Sequence, residues 1–223
     1  MNLSDYKSKI PEEIFSVLEG RIKKLRPAQY KAIEEGLFKK NNLLICTPTA
    51  SGKTLVAELA IMNIIFNNKG NTKGKCVYIV PLKALASEKY EHFKNMYPFK
   101  TALSSGDIDS DDSYLANYDL IITTSEKFDS LLRHKIDWIS KIKLVIIDEV
   151  HLLNDSSRGP TLEIIISILK QELKELQIIA LSATIGNPKM LAEWLDAKLI
   201  LDDWRPVKLY KGVLLNDEID FYD

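Results

Sequence analysis

The sequence has few of the residues that build metal centres and disulfide scaffolds. Its 223 residues include two cysteines, Cys46 and Cys76, each inside an apolar run and without the CxxC or Cys/His spacing of a metal site. We interpret both as buried thiols in a reducing compartment. An excess of charge is also missing, because 30 Lys and Arg offset 31 Asp and Glu to a net charge of −1. Any contact with nucleic acid must therefore come from a local patch rather than from an overall basic field.

Long hydrophobic runs are missing as well. The first residues, "MNLSDYKSKIPEE", contain no apolar segment, and the later apolar runs are short and interrupted. We therefore expect neither a signal peptide nor a membrane-spanning helix, and predict a cytoplasmic protein with no membrane partner. The composition, 46% hydrophobic and 27% charged, is that of a globular domain large enough to bury a sizeable core.

Short runs rich in Ile, Val and Leu recur along the chain and are apolar on both faces, which is typical of buried parallel strands. These runs cover residues 42–47, 75–81, 118–124, 143–149, 177–184 and 198–203. Segments of helical period lie before or between them, at residues 26–38, 53–66, 82–96 and 161–176. Alternation of strand and helix implies right-handed crossovers. The pattern therefore predicts a three-layer α/β domain with a mainly parallel central sheet.

The stretch "CTPTASGKTLVAEL" (46–59) places a loop of small residues between the first strand and a helix that begins near Lys53. Small residues let backbone N–H groups converge on phosphate oxygens, and the helix dipole adds positive charge. Lys53 would reach the β- and γ-phosphates, and the Thr54 hydroxyl would bind Mg²⁺. The predicted nucleotide-binding residues of this loop are Thr49, Ala50, Ser51, Gly52, Lys53 and Thr54. The alternative is a Gly-Lys-Thr that merely starts a surface helix, since Thr47 replaces the first glycine of the GxxxxGK[ST] pattern.

The stretch "LVIIDEVH" (144–151) delivers two acidic residues at the carboxyl end of an apolar strand, the edge where ligands sit in open α/β sheets. Asp148 would hold Mg²⁺, through water, and Glu149 would orient or deprotonate the attacking water. The alternative is that the two acids begin a solvated loop. A phosphate loop in the same sheet favours the catalytic interpretation.

In their order along the chain, these segments resemble the motifs of superfamily 2 DExH-box helicases. "DEVH" resembles the DExH box, "RPAQ" (26–29) the glutamine motif, and "LSAT" (181–184) the motif that couples the ATP site to nucleic acid. "PLKALASEKY" (81–90), "SGD" (105–107) and "TTSEKFDSLLR" (123–133) resemble the motifs that grip a nucleic-acid backbone. The resemblance implies a RecA-like P-loop fold with ATP and Mg²⁺ as cofactors.

The resemblance also implies roles for single residues. Gln29 would read the adenine edge with its amide donor and acceptor. His151 would hydrogen-bond across to Ser182 or Thr184 and so couple the nucleotide site to the neighbouring motif. The predicted nucleic-acid contacts are Pro81, Lys83, Gly106, Thr124, Lys127 and Arg158. Helix capping by Thr and Ser at these strand ends is the alternative for the hydroxyl-bearing positions.

More narrowly, "RGPTLE" (158–163), "ATIGNPKMLAEWL" (183–195) and "WRPVKLYKGV" (204–213) resemble archaeal Hjm-type DNA helicases, relatives of the superkiller RNA helicases. This resemblance implies a 3′→5′ motor on single-stranded or branched DNA. We expect the protein to be a monomer. We expect residues 1–25 to form a helical lead-in, 26–205 the first motor domain, and 206–223 the start of a connection to a second RecA-like domain. The arginine-finger pattern QxxGRAGR does not occur in the sequence. We therefore expect slow hydrolysis and no unwinding by this chain alone.

Three other functions share part of this pattern. RNA-helicase relatives carry the same motifs, so the residues leave open whether the strand is DNA or RNA. A stand-alone, nucleotide-dependent binding switch is a second alternative. A third is another P-loop ATPase, such as a transporter or recombinase subunit, against which the "LSAT" motif stands.

Overall fold

The structure, a computed structural model, describes residues 1–67, 74–106, 112–134, 136–208, 210–215 and 218–222. Within these ranges the α-helices are α1 (Glu12–Glu19), α2 (Pro27–Glu34), α3 (Lys53–Phe66), α4 (Lys83–Met96), α5 (Ser125–Arg133), α6 (Gly159–Glu172) and α7 (Pro188–Leu195). Short 3-10 helices cover Leu3–Tyr6, Leu37–Lys39, Ser113–Asn117, Asp137–Lys141 and Val150–Asn154.

Most of the described strands belong to one parallel sheet. They are β1 (Leu43–Cys46), β2 (Lys75–Val80), β3 (Thr101–Ser104), β4 (Leu120–Thr124), β5 (Ile142–Ile147), β6 (Gln177–Ser182) and β7 (Lys198–Leu201). Their order is β3-β4-β2-β5-β6-β1-β7, and each described neighbouring pair is parallel. The carboxyl ends of β1, β2, β4, β5 and β6 therefore meet at one edge. Separately, β8 (Lys211–Leu215) and β9 (Glu218–Tyr222) pair as an antiparallel hairpin.

Helices cover both faces of the sheet, which explains why its strands are apolar throughout. Leu43 and Ile45 of β1 point into a core shared with α1, α2, α3 and α4. Leu44 and Cys46, the alternate residues, point into a second core shared with α5, α6 and α7. This arrangement confirms the predicted three-layer α/β fold. None of the described helices combines the length and the apolar character needed to cross a bilayer.

All six predicted sheet strands are present, but several elements end earlier than the hydrophobic runs do. The acidic pair lies just beyond β5, since that strand stops at Ile147. Helix α2 stops at Glu34 because Gly36 adopts a left-handed backbone (φ 93°). The edge strand β3 and the β8–β9 hairpin were not predicted. The sequence of β3, "TALS", is short and half polar, and the hairpin strands are exposed.

Candidate functional site

The loop between β1 and α3 is held in shape by its own backbone and by α2. Ala50 (φ 62°) and Gly52 (φ 92°) both adopt left-handed conformations. The backbone angle at Gly52 favours glycine, and a Cβ atom there would also lie 2.4 Å from the amide nitrogen of Gln29 and displace it. Inside the loop, the buried Thr47 and Ser51 hydroxyls are hydrogen-bonded at 2.7 Å. The shape of the loop is thus set by local contacts, and the loop lies at the N-terminus of α3.

Lys53 opens α3 and turns its side chain back over the loop. Its ammonium donates hydrogen bonds to the carbonyl oxygens of Thr47 at 2.7 Å and Pro48 at 3.2 Å. Burial lowers the pKa of Lys53, and the carboxylates of Glu149 and Asp148 act in the opposite direction. The ammonium therefore lies in the loop, and two carboxylates are near enough to raise its pKa.

Gln29 is buried, with 4% of its surface exposed, and its amide joins α2 to the phosphate loop. Its Oε1 accepts a hydrogen bond from the Arg26 N–H at 2.8 Å, and its Nε2 donates to the Gly52 carbonyl at 3.1 Å. The Arg26 guanidinium donates to the Ala50 carbonyl at 2.7 Å and lies over the Trp204 ring at 5.4 Å. The amide oxygen and the amide nitrogen of Gln29 can each make one further hydrogen bond, so an adenine contact stays a prediction.

The acidic pair follows β5 with a sharp turn. Asp148 accepts hydrogen bonds from the Tyr78 hydroxyl at 2.9 Å and from the Glu149 backbone N–H at 3.0 Å. Burial, followed by the charge of Asp148, raises the pKa of Tyr78 well above its usual value, so its hydroxyl stays protonated and donates. Glu149 adopts a left-handed backbone (φ 52°), which starts the 3-10 helix Val150–Asn154.

One cleft of about 400 Å³ brings the loop and the acidic pair together. Its lining residues are Arg26, Thr49, Ala50, Gly52, Lys53, Thr54, Lys89, Asp148, Glu149 and Pro206. Of the predicted nucleotide residues, Ser51 is buried beneath the loop and Gln29 lies behind it. The cleft therefore collects the predicted catalytic residues and both predicted metal ligands.

The donors in this cleft suit a magnesium ion. Thr54 Oγ1 and the Asp148 carboxylate are hard oxygen donors, and Mg²⁺ is held by few protein oxygens together with water and phosphate. Lys89 Nζ donates to Thr54 Oγ1 at 3.3 Å and lies 3.8 Å from Asp148 Oδ2, so a cationic group already lies beside both oxygens. Within the described part of the chain there is no cluster of three or more His, Cys, Asp or Glu that would favour a different metal.

Sequence reasoning missed Tyr78 and Lys89. Tyr78 is the polar-tipped residue in the otherwise aliphatic centre of "KCVYIV", and its hydroxyl fixes Asp148. Lys89 lies within "SEKY", two turns after the start of α4, and looks in sequence like an ordinary surface lysine. Of the two, only Tyr78 could have been noticed in the sequence, because a phenol inside a buried strand usually needs a hydrogen-bond partner.

The predicted bond from His151 to Ser182 or Thr184 is not made. His151 Nδ1 and Ser182 Oγ are both buried without a hydrogen-bond partner among the described residues, and Thr184 is exposed. His151 Nδ1 instead lies 3.3 Å from Glu149 Oε2, because the chain turns at Glu149 and folds back. The side chain thus contacts the predicted catalytic carboxylate rather than the neighbouring motif.

Lys127, a predicted nucleic-acid contact, is turned into the protein. Only 2% of its surface is exposed, and its ammonium lies 2.5 Å from Asp112 Oδ2. The reason is its position on α5, where Phe128 and Leu131 also face the core. To reach this ammonium a phosphate would have to displace Asp112, so a nucleic-acid contact by Lys127 stays a prediction.

Thr124 is the N-cap of α5, and its hydroxyl accepts a hydrogen bond from the Lys127 N–H at 3.4 Å. The capping alternative therefore describes this residue. Lys83 and Gly106 are exposed, and Pro81 is half-buried. Asp107, the last residue of "SGD", lies outside the described residues. Pro81 and Arg158 line a small recess beside the acidic pair, so these positions share the carboxyl edge with the cleft.

Residues 26–191 match the family model described as DEAD/DEAH box helicase. The chain is 58% identical over 205 residues to the ATP-dependent DNA helicase Hel308 of Methanocaldococcus jannaschii, covering 90% of this chain and 17% of that protein. It is 53% identical over 208 residues to Hel308 of Pyrococcus horikoshii, covering 92% and 28%. The chain thus spans under a third of the length of these relatives.

Solved structures show the same fold. The chain is similar to the DUF1998 helicase MrfA bound to DNA, with a TM-score of 0.71 and 26% identity, covering 87% of this chain and 30% of that one. A second MrfA structure gives a TM-score of 0.70 and 27% identity, covering 86% and 33%. The loop between β1 and α3, the acidic pair and "LSAT" all lie inside the region that the family model matches.

Proposed function

The chain belongs to the DEAD/DEAH box helicase family, and on that premise we propose that it is the ATP-binding first motor domain of an ATP-dependent DNA helicase. The supporting observation is the single cleft in which the loop at Gly52 and Lys53 faces Asp148 and Glu149. Its volume of about 400 Å³ lies within the range of small-molecule sites. If the Gly-Lys-Thr only began a surface helix and the two acids only began a solvated loop, nothing would require them to line the same cleft.

The loop would bind the phosphates of ATP through its backbone N–H groups and through Lys53. To reach a phosphate, the Lys53 ammonium exchanges its bonds to the Thr47 and Pro48 carbonyls for phosphate oxygens. Thr54 and Asp148 would hold Mg²⁺, which neutralises charge on the phosphates when bound. Tyr78 keeps Asp148 oriented by its hydrogen bond at 2.9 Å.

Glu149 would orient the attacking water and accept its proton. Its side chain is 31% exposed at the cleft, so water can reach the carboxylate. His151 lies 3.3 Å from Glu149 Oε2 and limits where that carboxylate turns. Efficient turnover in such motors also needs an arginine supplied opposite the γ-phosphate. We propose that a second RecA-like domain supplies it.

We propose DNA rather than RNA as the strand, because Hel308 is named as a DNA helicase and shares 58% identity over 205 residues. The positions that would contact the DNA backbone are Pro81, Lys83, Gly106 and Arg158, at the same sheet edge as the cleft. Movement along a 3′→5′ track, preference for forked or branched DNA, and a cytoplasmic location belong to this proposal. The polarity and the DNA preference rest on the resemblance of the motifs, and the location rests on the sequence.

Titration of a fluorescent ADP analogue with Mg²⁺ tests the nucleotide site. We expect Lys53→Ala to weaken binding by about 10²-fold, since a charge-assisted contact to phosphate is lost. Lys94→Ala, an exposed lysine on α4, is the matched control and should bind like the wild type. Equal affinity of the Lys53 variant and the control would contradict the site.

ATP hydrolysis tests the chemistry and the strand. Slow hydrolysis by the wild-type chain should be lost in Glu149→Gln, which keeps the size of the side chain but cannot accept the proton. Addition of single-stranded DNA should stimulate hydrolysis more than RNA of the same sequence. Stronger stimulation by RNA would favour the RNA-helicase alternative.

A further inference from the structure

Lys89 extends from α4 across the nucleotide cleft. Its side chain is only 14% exposed, and Nζ lies 5.7 Å from the centre of the Tyr78 ring. The ammonium donates a hydrogen bond to Thr54 Oγ1 at 3.3 Å and lies 3.8 Å from Asp148 Oδ2. The hydroxyl and the carboxylate that it joins are the two side chains that suit magnesium.

The charge balance of the cleft explains this position. The Asp148 side chain is 14% exposed, and a largely buried carboxylate is unfavourable unless a cation lies near it. Lys53 does not fill this role directly, because its ammonium is bonded to the carbonyls of Thr47 and Pro48. Among the described residues, the ion pair of Asp148 is formed with Lys89.

We propose that Lys89 is the resident cation of the metal-free site. Its ammonium occupies the place beside Thr54 and Asp148 that the divalent cation needs, and it holds both side chains in position until the metal arrives. This inference rests on the proposed nucleotide site, and it assigns Lys89 a positioning role. Loading with Mg²⁺ then requires the ammonium to withdraw from both oxygens.

The proposal makes Lys89 a competitor of magnesium. A protein whose binding-competent form is only partly populated shows a lower apparent affinity for its ligand. Removing the ammonium should therefore make magnesium easier to load while destabilising the metal-free protein. A lysine that instead bound phosphate would behave differently, because its removal would weaken nucleotide binding even at saturating magnesium.

Lys89→Met tests the proposal, since methionine keeps much of the apolar stem and lacks the charge. Lys94→Met, on the exposed face of the same helix, is the matched control. The first measurement is thermal unfolding in EDTA without nucleotide. We expect the Lys89 variant to melt about 2–4 °C below the control, because Asp148 loses its counter-ion.

The second measurement is binding of a fluorescent ADP analogue over a series of Mg²⁺ concentrations. We expect the half-saturating Mg²⁺ concentration to fall about fivefold in Lys89→Met, with the affinity at saturating Mg²⁺ unchanged. An unchanged Mg²⁺ dependence, or weaker ADP binding at saturating Mg²⁺, would overturn the proposal. If the wild type bound no ADP, the nucleotide site itself would be wrong. Melting in EDTA would still decide whether Lys89 neutralises Asp148.

Discussion

Two groups of predicted site residues lie along the same edge of the sheet, and the fold uses their side chains differently. In the nucleotide cleft, Lys53, Thr54 and Asp148 line one open cavity. Along β4 and α5, Thr124 caps a helix and Lys127 is buried in an ion pair. A polar residue in a motif can therefore line an open cleft or stabilise the fold, depending on where its side chain lies.

The largest effect is expected at Lys127, where the side chain serves the fold. Lys127→Met leaves the buried Asp112 carboxylate without its ion-pair partner, so we expect the free energy of unfolding to fall by about 3–5 kcal/mol. Urea denaturation measures this change. Lys141→Met, at an exposed position, is the control. Unchanged stability together with weaker DNA binding would show that Lys127 serves nucleic acid after all.

Gly52→Ala disturbs the nucleotide cleft. The left-handed backbone at φ 92° alone costs about 1–2 kcal/mol with a Cβ atom, and that atom would also displace the Gln29 amide. We expect lower stability and weaker nucleotide binding, measured by thermal unfolding and ADP titration. Gly20→Ala is the control, because its φ is −76° and no atom lies within 4 Å of the added Cβ. Normal ADP affinity in Gly52→Ala would show that the loop shape is not required.

Thr124 distinguishes capping from phosphate binding. Thr124→Ala should lower the free energy of unfolding by about 1 kcal/mol, because the Lys127 N–H loses its side-chain acceptor. Thr124→Ser keeps the hydroxyl and should restore most of the stability. Thermal unfolding of the three proteins measures the difference. A stable Thr124→Ala protein with weakened DNA binding would contradict the capping role.

The smallest effect is expected at Lys83, which is exposed at the start of α4. If Lys83 contacts a DNA phosphate, Lys83→Ala should leave stability unchanged and lower DNA affinity modestly, for every sequence alike. The slope of log affinity against log salt is negative, and its magnitude should fall by about 1. Fluorescence anisotropy at several salt concentrations measures this slope, with Lys94→Ala as control. An unchanged slope would remove Lys83 from the DNA contacts.

The strands of the sheet could be predicted because several neighbouring residues in each strand carry the same apolar pattern. The central strands β1, β2 and β5 are buried on both faces over most of their length, so four or five consecutive apolar residues mark each of them. The edge strand β3 was not predicted, since "TALS" contains only two apolar residues and the strand pairs with β4 on one side only. The β8–β9 hairpin escaped because its residues are exposed and show no core-facing pattern.

The candidate site was predicted where backbone geometry sets it and missed where side chains cross between elements. The loop at Gly52 and the turn after β5 follow from residue type and strand position. The contacts of Lys89 and Tyr78 with Asp148 join residues far apart in the chain, and no local pattern identifies Asp148 as the partner of either residue. The ion pair between Lys127 and Asp112 was missed for the same reason, since Asp112 lies outside α5.

The left-handed backbone at Glu149 sets the stability of the turn against the proposed chemistry. A glutamate at φ 52° is held in a conformation that costs about 1–2 kcal/mol, whereas Gly or Asn adopts it readily. Either replacement would relax the turn and, on the proposed chemistry, leave no base to activate water. On that proposal, a protein with Gly or Asn at position 149 would be more stable and would not hydrolyse ATP.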